Sequence, residues 1–237
     1  MRLLLTRPEP DAERTAAALR ARGHAVIITP LLHIEAVDNA EIDQGPWDAL
    51  LVTSANAAHA IERHARLPEL RAVPVLVGGE RSAEAMRAVG FADVTSAGGN
   101  VDDLVRLVGE RVKPGARLLY LAAGERAGDL AGTLRRRGYS VRTAVVYRAV
   151  VSGSPRAVAD ALARGIDGVL HFSRRSAEAY INAARDAGVL PSALRPGHYC
   201  LSAQVAEPLA DAGASTRVAL QPTEAALIAL IPDGMSG

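Results

Sequence analysis

Short apolar runs alternate along the whole chain with amphipathic segments rich in Ala, Leu and Arg. Several runs are apolar at every position, as strands are when helices cover both faces of a parallel sheet. This pattern is typical of an α/β protein. It predicts strands at residues 3–6, 25–29, 49–53, 75–77, 118–121, 141–146, 168–172 and 199–201.

The segments between these runs predict helices. Residues 11–22 place Ala12, Ala16 and Leu19 on one face, and Gly23 follows as a residue suited to the left-handed backbone at a helix end. The same arrangement of an amphipathic segment followed by glycine predicts further helices at 80–89, 125–137 and 203–212.

The chain also contains an internal repeat. Residues 2–33 align without gaps with residues 117–148, with ten identities that include Gly23 and Gly138. Residues 48–54 likewise match residues 167–173. A gene duplication explains these matches, and the length of 237 residues allows two small domains. We therefore expect two similar flavodoxin-like units, each with a parallel sheet of about five strands.

In such sheets ligands bind beyond the carboxyl ends of the strands, where helix N-termini expose N–H groups. The loops expected there are rich in small hydroxyl, amide and glycine residues with interspersed arginines, which suits the capture of carboxylates or phosphates. The candidate ligand-binding residues in these segments are Thr6, Arg7, Thr53, Ser54, Asn56, Gly79, Ser82, Ser173, Arg174, Ser176, Gln204 and Thr223. Helix capping explains many of the same residues equally well.

Charge and composition narrow the class of partner. The 27 basic and 26 acidic residues leave a net charge of +1, which does not favour a nucleic-acid partner. Apolar runs are far shorter than the roughly 20 residues of a membrane helix, so no membrane partner is expected. With one cysteine, Cys200, and no recognisable leader, we expect a cytoplasmic protein.

Several chemical motifs are absent from the sequence. It has neither a G-x-G-x-x-G segment after the first strand nor a P-loop, so a nucleotide cofactor has no support. The histidines lack the spacing of a metal site, and we expect neither a cofactor nor a metal. Cys200 and His171 lie in apolar runs and are interpreted as buried structural residues.

A set of segments, in order along the whole chain, resembles the uroporphyrinogen-III synthase family. The segments are Leu-Leu-Leu-Thr-Arg-Pro at 3–8, Val-Thr-Ser-Ala-Asn-Ala at 52–57, Val-Gly-Gly-Glu-Arg-Ser-Ala at 77–83, Val-Arg-Thr-Ala-Val-Val-Tyr at 141–147, Phe-Ser-Arg-Arg-Ser-Ala at 172–177 and Pro-Thr-Glu-Ala-Ala-Leu at 222–227.

The resemblance implies a lyase that needs no cofactor. The substrate would be hydroxymethylbilane, a linear tetrapyrrole that loses water and closes to uroporphyrinogen III with ring D inverted, in a cleft between two domains. A polyanionic substrate agrees with the anion-binding loops. We expect a monomer that can receive the bilane from hydroxymethylbilane synthase.

The resemblance also implies discontinuous domains and specific roles. Domain 1 would comprise residues 1–32 and 151–237, domain 2 residues 38–143, and the segments 33–37 and 144–150 would form a two-stranded linker. Tyr147 matches the catalytically implicated tyrosine of the family, and Thr53 and Ser54 match its Thr-Ser pair, with Ser173 as the counterpart in the other half. The family's Gly-x-x-Thr element is replaced by Ser-Ala-Gln-Val at 202–205, which leaves the role of Gln204 open.

Two other functions remain possible from the sequence. A two-lobed, non-catalytic protein that binds a small anion would use the same sheets and loops. A nucleotide-sugar transferase with two α/β domains would need a longer chain and a nucleotide loop, which the sequence lacks.

Overall fold

The computed structural model describes residues 1–99, 101–125 and 128–233. Its strands are β1 (Arg2–Leu5), β2 (Ala25–Ile28), β3 (Leu32–Ala36), β4 (Ala49–Val52), β5 (Val75–Val77), β6 (Val94–Ser96), β7 (Arg117–Ala123), β8 (Ser140–Val151), β9 (Gly168–His171), β10 (Gly197–Cys200) and β11 (Thr216–Val218). Its helices are α1 (Asp11–Ala21), α2 (Asn56–Ile61), α3 (Leu67–Leu70), α4 (Glu80–Ala88), α5 (Val101–Arg111), α6 (Leu130–Arg136), α7 (Pro155–Ala163), α8 (Arg174–Asp186), α9 (Leu190–Ala193), α10 (Ala203–Asp211) and α11 (Glu224–Ala229).

The chain divides into two compact units. Unit 1 comprises Met1–His33 and Val150–Gly237, and unit 2 comprises Ile34–Ala149. The chain therefore passes from one unit to the other twice, once within β3 and once within β8. The segment predicted as a linker at 144–150 belongs to β8, whose residues 144, 145 and 147 pair with β7.

Unit 1 is built around a sheet of order β11-β10-β9-β1-β2, counting only described strands. Every adjacent pair of these strands is parallel. Each of Leu3, Leu4 and Leu5 is fully buried in β1, which lies inside the sheet. The apolar run of β1 is explained by the burial of the strand on both faces, as the sequence pattern predicted.

Unit 2 repeats this plan with an additional strand. Its described sheet has the order β3-β8-β7-β4-β5-β6, and the pairs from β8 to β6 are parallel. Leu50 and Val52 of β4 pack into one apolar cluster, while Ala49 and Leu51 pack into another on the opposite face. The prediction of an α/β protein with two parallel sheets is confirmed.

The two sheets agree strand by strand and in register. Leu3 pairs with Gly168 in unit 1, and the residues at the corresponding repeat positions, Leu118 and Ala49, pair in unit 2. Gly23 and Gly138 both end a helix with positive φ, at 81° and 89°. The internal repeat in the sequence therefore corresponds to a repeated sheet.

Some elements differ from their predicted bounds. The short strands β6 and β11 were not predicted, because their residues Val-Thr-Ser and Thr-Arg-Val form no apolar run and none of them is buried. The helix expected at 125–137 is α6, which begins only at Leu130 because Asp129 caps it by accepting from the Gly132 N–H at 2.8 Å. Residues 126 and 127 of that prediction lie outside the described residues.

Candidate active site

Hydroxyl side chains gather at the carboxyl edge of the sheet in unit 2. Thr53 and Ser54 directly follow β4, and Gly79 follows β5 as the residue that precedes α4. Ser82 lies in the first turn of α4 and is buried. Because the strands are parallel, these four predicted residues share one edge of unit 2.

Two phenol hydroxyls lie beside the two hydroxyls that follow β4. The Thr53 Oγ1 is 2.9 Å from the hydroxyl of Tyr120, which lies on β7. The phenol of Tyr147, on β8, lies close enough to the side chain of Ser54 for that side chain to lower the pKa of the phenol. The Asn56 N–H donates to the Ser54 Oγ at 3.3 Å, so the backbone at the start of α2 holds this serine in place.

The environment of Tyr147 keeps its phenol protonated at neutral pH. The residue is 7% exposed, and burial raises the pKa of the phenol above its usual value. The neighbouring Ser54 side chain opposes this shift in pKa, and the nearby Tyr120 adds to it. A protonated phenol can donate a hydrogen bond or a proton.

A cavity of about 240 Å³ borders these groups. Its lining consists of Thr53, Val101, Tyr120, Ala123, Glu125, Gly128, Leu130 and Tyr147. A neighbouring hollow of about 260 Å³ shares Thr53 and Val101 with it and extends to Gly79 and Ser82. Thr53 therefore borders both hollows, and four of the predicted site residues line this surface.

The predicted residues of unit 1 follow the carboxyl ends of its strands, and several of them make contacts within the unit. Arg7 is the clearest case. Its guanidinium donates to Thr15 Oγ1 at 2.9 Å, pairs with Asp11 at 2.8 Å and Glu224 at 3.4 Å, and lies 4.0 Å from the centre of the Phe172 ring. With the Arg7 side chain only 13% exposed, these partners hold it in place.

Two predicted threonines of unit 1 lie next to secondary-structure elements: Thr6 follows β1, and Thr223 precedes α11. Thr6 is 1% exposed, and its hydroxyl has no hydrogen-bond partner within the described part of the chain. Thr223 caps α11 by accepting from the Ala226 N–H at 3.2 Å. Gln204 is exposed in the first turn of α10, where the preceding Ser202 makes no side-chain cap.

Ser173 and Ser176 form a capping box at the start of α8. The Ser173 Oγ accepts from the Ser176 N–H at 3.1 Å, and the Ser176 Oγ accepts from the Ser173 N–H at 3.3 Å. Both hydroxyl hydrogens also have acceptors inside the cap. Capping, one of the two interpretations left open by the sequence, accounts for these contacts.

Arg174 follows this cap and is exposed. Its guanidinium contacts Glu178 at 2.9 Å within α8 and Glu207 at 2.6 Å on α10. The ion pair with Glu207 joins the N-terminal part of α8 to α10. Across the described residues, no three His, Cys, Asp or Glu side chains form a group suited to a metal ion.

Comparison with known proteins decides the family. Residues 13–229 match the sequence model of the family described as Uroporphyrinogen-III synthase HemD. The chain belongs to this family. The activity is accordingly that of a uroporphyrinogen-III synthase, a lyase of porphyrin biosynthesis that acts on a small molecule. No curated protein sequence matches the chain significantly.

Solved synthase structures share the fold. The chain is similar to uroporphyrinogen-III synthetase from Helicobacter pylori, with 19% identity, a TM-score of 0.66 and coverage of 97% of this chain and 98% of that one. It is also similar to a mutant uroporphyrinogen III synthase from Thermus thermophilus, with 18% identity, a TM-score of 0.53 and coverage of 97% and 96%. None of the described helices is long and apolar enough to span a membrane.

The sequence interpretation missed one prominent residue of this synthase family member. Tyr120 lines the cavity beside Tyr147, yet in the sequence it is one residue of the apolar run Leu-Leu-Tyr-Leu at 118–121. The internal repeat contained a usable signal, because Tyr120 aligns with Leu5, an ordinary core leucine.

Proposed function

We propose that the carboxyl edge of unit 2 holds the reacting end of hydroxymethylbilane and that Tyr147 assists the departure of its hydroxyl. The observation that carries this proposal is the buried phenol of Tyr147, which lines a cavity together with the hydroxyl-bearing residues Thr53 and Tyr120. A departing hydroxyl must leave as water, and a protonated phenol can supply the hydrogen bond or proton that this requires.

Tyr147 is a helpful donor in this proposal rather than an indispensable one. The pyrrole nitrogen of the bilane expels the hydroxyl from the adjacent carbon, so much of the driving force resides in the substrate. The enzyme then has to hold one folded geometry of the tetrapyrrole so that ring D closes in the inverted sense. Binding and orientation can supply this selectivity.

Carboxylates of the substrate are proposed to bind at the N-terminal ends of helices. In unit 2 the candidates are Asn56, Gly79 and Ser82, together with Thr53. In unit 1 they are Thr6, Arg7, Ser173, Arg174, Ser176, Gln204 and Thr223. Helix N-termini attract anions through free N–H groups and the helix dipole, which supports this role at α4, α8 and α10.

We further propose that the enzyme acts as a cytoplasmic monomer, without a cofactor, and takes its substrate directly from hydroxymethylbilane synthase. The single cysteine, Cys200, is buried, and burial raises the pKa of its thiol to about 12, which agrees with a structural role in a reducing compartment. Direct handover suits a substrate that can close unaided to the unrotated isomer.

The deciding experiment is a product analysis. The purified chain is incubated with enzymatically generated hydroxymethylbilane, and the oxidised porphyrins are separated by chromatography. We expect isomer III in clear excess over a control without the chain. A product of isomer I alone, at the rate of the control, would contradict the activity, and binding without turnover would favour the non-catalytic anion-binding alternative.

A further inference from the structure

Tyr120 places a second phenol in the cavity that contains Tyr147. The residue lies on β7, is 4% exposed, and pairs in register with Leu51 of β4. Its hydroxyl is 2.9 Å from the Thr53 Oγ1, and both residues line the cavity of about 240 Å³. The Tyr120 phenol therefore contacts the hydroxyl of Thr53, which borders both hollows.

The fold does not require this hydroxyl. The equivalent position of unit 1 is Leu5, which is fully buried in β1 with the same register toward the neighbouring strand. Thr53 corresponds in the same way to Phe172. Both members of the hydrogen-bonded pair thus occupy positions where the other repeat has apolar residues, so the shared sheet packing does not account for their hydroxyls.

The chemistry of the pair suggests its direction. A phenol is far more acidic than an aliphatic alcohol, so the Tyr120 hydroxyl is the better donor and the Thr53 Oγ1 the better acceptor. This bond fixes the Thr53 side chain and leaves its single hydroxyl hydrogen available to another acceptor. Since Thr53 borders both hollows, that acceptor can be a carboxylate of the substrate.

We propose that Tyr120 is a positioning residue that orients the Thr53 hydroxyl to donate to a substrate carboxylate. This inference rests on the proposed location of the reaction at the edge of unit 2. It differs from the role proposed for Tyr147, because Tyr120 acts through Thr53 on binding and not on the departing hydroxyl.

A double-mutant cycle tests the inference in the full chain. Thr53→Val should raise KM by about tenfold or more, because a hydrogen bond to a charged group contributes at least about that factor. Tyr120→Phe should raise KM about fivefold with little change in kcat. Because Tyr120 acts through Thr53, the double variant should have the KM of Thr53→Val alone.

Tyr139→Phe is the matched control. Its phenol is 7% exposed and donates to the Val112 carbonyl at 3.0 Å, away from the cavity-lining residues. It should retain wild-type KM and kcat although it also loses a nearly buried hydroxyl. Thermal unfolding of all variants confirms that the measured protein is folded.

The cycle separates two kinds of failure. Multiplication of the two single effects in the double variant would overturn the inference, as would wild-type KM in Tyr120→Phe while Tyr147→Phe is slowed. Wild-type kinetics in both Tyr120→Phe and Tyr147→Phe would overturn the proposed location of the reaction together with the inference.

Discussion

Ser54 and Ser173 occupy equivalent positions after β4 and β9, yet their hydroxyls have different partners. Ser173 closes a capping box with Ser176. The residue equivalent to Ser176 in unit 2 is Ala57, which cannot complete such a box, and the Ser54 Oγ instead accepts from the Asn56 N–H and lies near the phenol of Tyr147. One difference between the repeats thus explains why Ser173 has a capping partner that Ser54 lacks.

The first residue-scale prediction concerns Tyr147. A general acid typically contributes about 10²–10⁴ in rate, whereas one neutral hydrogen bond is worth about 1 kcal/mol, or roughly fivefold. Because the substrate itself expels the hydroxyl, Tyr147→Phe should lower kcat by roughly 10- to 100-fold, with the fold intact. Steady-state kinetics and the ratio of isomers III and I measure the effect.

The outcomes for Tyr147→Phe are distinct. Complete loss of activity would make the phenol an obligatory acid, and wild-type activity would make it a lining aromatic; both contradict the proposal. Normal turnover with more isomer I would assign the phenol to orientation of the substrate. Tyr139→Phe again serves as the control for loss of a nearly buried phenol hydroxyl.

A second feature at the residue scale is a buried histidine pair in unit 1. The His198 Nε2 donates to the Ala193 carbonyl at 3.1 Å, so the neutral ring accepts at Nδ1 from the His171 Nε2 at 3.0 Å. The two rings stack at 5.3 Å, with Tyr180 edge-on to both. Neither histidine is solvent-exposed, and the His171 Nδ1 has no partner among the described residues.

This pair predicts loss of stability in mild acid. Burial lowers the pKa of His198 to about 4 and that of His171 well below its usual value, whereas both titrate near 6.5 in the unfolded chain. Between pH about 6.5 and about 4 the unfolded chain binds protons that the folded chain rejects. As the pH decreases through this range, the free energy of unfolding should therefore fall, by up to about 1.4 kcal/mol per pH unit for each histidine.

Urea unfolding at pH 7.5, 6.5 and 5.5 measures this dependence, in a range above the titration of most carboxylates. Replacing both residues in His171→Leu/His198→Leu should make the dependence shallower. Replacing the exposed His59 in His59→Gln should leave it unchanged. A wild-type stability that does not vary over this range would contradict the interpretation.

At the scale of elements, α8 is fixed at its N-terminus by two independent means. The capping box satisfies backbone N–H groups, and Arg174 bridges to Glu207 of α10. Both features came from residues that the sequence marked as candidate ligands. Capping and binding are not exclusive, because a capped helix still presents N–H groups and the dipole to an anion.

The prediction at this scale is that the arginines after β9 bind substrate more than they stabilise the fold. Arg174→Ala/Arg175→Ala should raise KM several-fold, while the free energy of unfolding changes little, as expected for exposed ion pairs. Substrate titrations and urea unfolding measure the two quantities.

Arg156→Ala is the matched control for that variant. Arg156 lies on α7 with its side chain 89% exposed and faces Asp160 at 3.7 Å, so its loss also removes an exposed arginine from unit 1. It should leave KM unchanged. An unaltered KM in the folded Arg174→Ala/Arg175→Ala variant would identify that pair as ordinary solvated surface.

At the scale of the whole molecule, the two sequence repeats have exchanged parts. Unit 2 combines β4, β5 and β6 with β7 and β8, whereas unit 1 combines β1 and β2 with β9, β10 and β11. Each sheet thus takes strands from both repeats. Equivalent hydrogen bonds link the two repeats within each sheet. The Arg117 N–H donates to Asp48 in unit 2, and the Arg2 N–H donates to Asp167 in unit 1, both at 2.7 Å.

This exchange predicts which fragments fold. Residues 34–149 contain β4 to β8 and should unfold cooperatively as an isolated fragment. Residues 1–115 contain the first repeat but lack the partner strands of both sheets, so their apolar faces cannot be covered. Circular dichroism during heating should show a sigmoidal transition for 34–149 only. The reverse result would mean that each repeat folds in line.

The sequence by itself determined the α/β class, the duplicated sheets and the placement of candidate residues after strands. It could do so because burial on both faces leaves continuous apolar runs, and because glycines such as Gly23 end helices by a local conformational requirement.

The tertiary structure decided the remaining features. Short strands such as β6 form through pairing and not through their own residues. The hydroxyl partner of Thr53 comes from β7, and the phenol near Ser54 comes from β8, both far away in sequence. Whether a serine caps a helix or meets a phenol depends on which side chains the packed sheet brings within about 3 Å, a relation that local pattern does not contain.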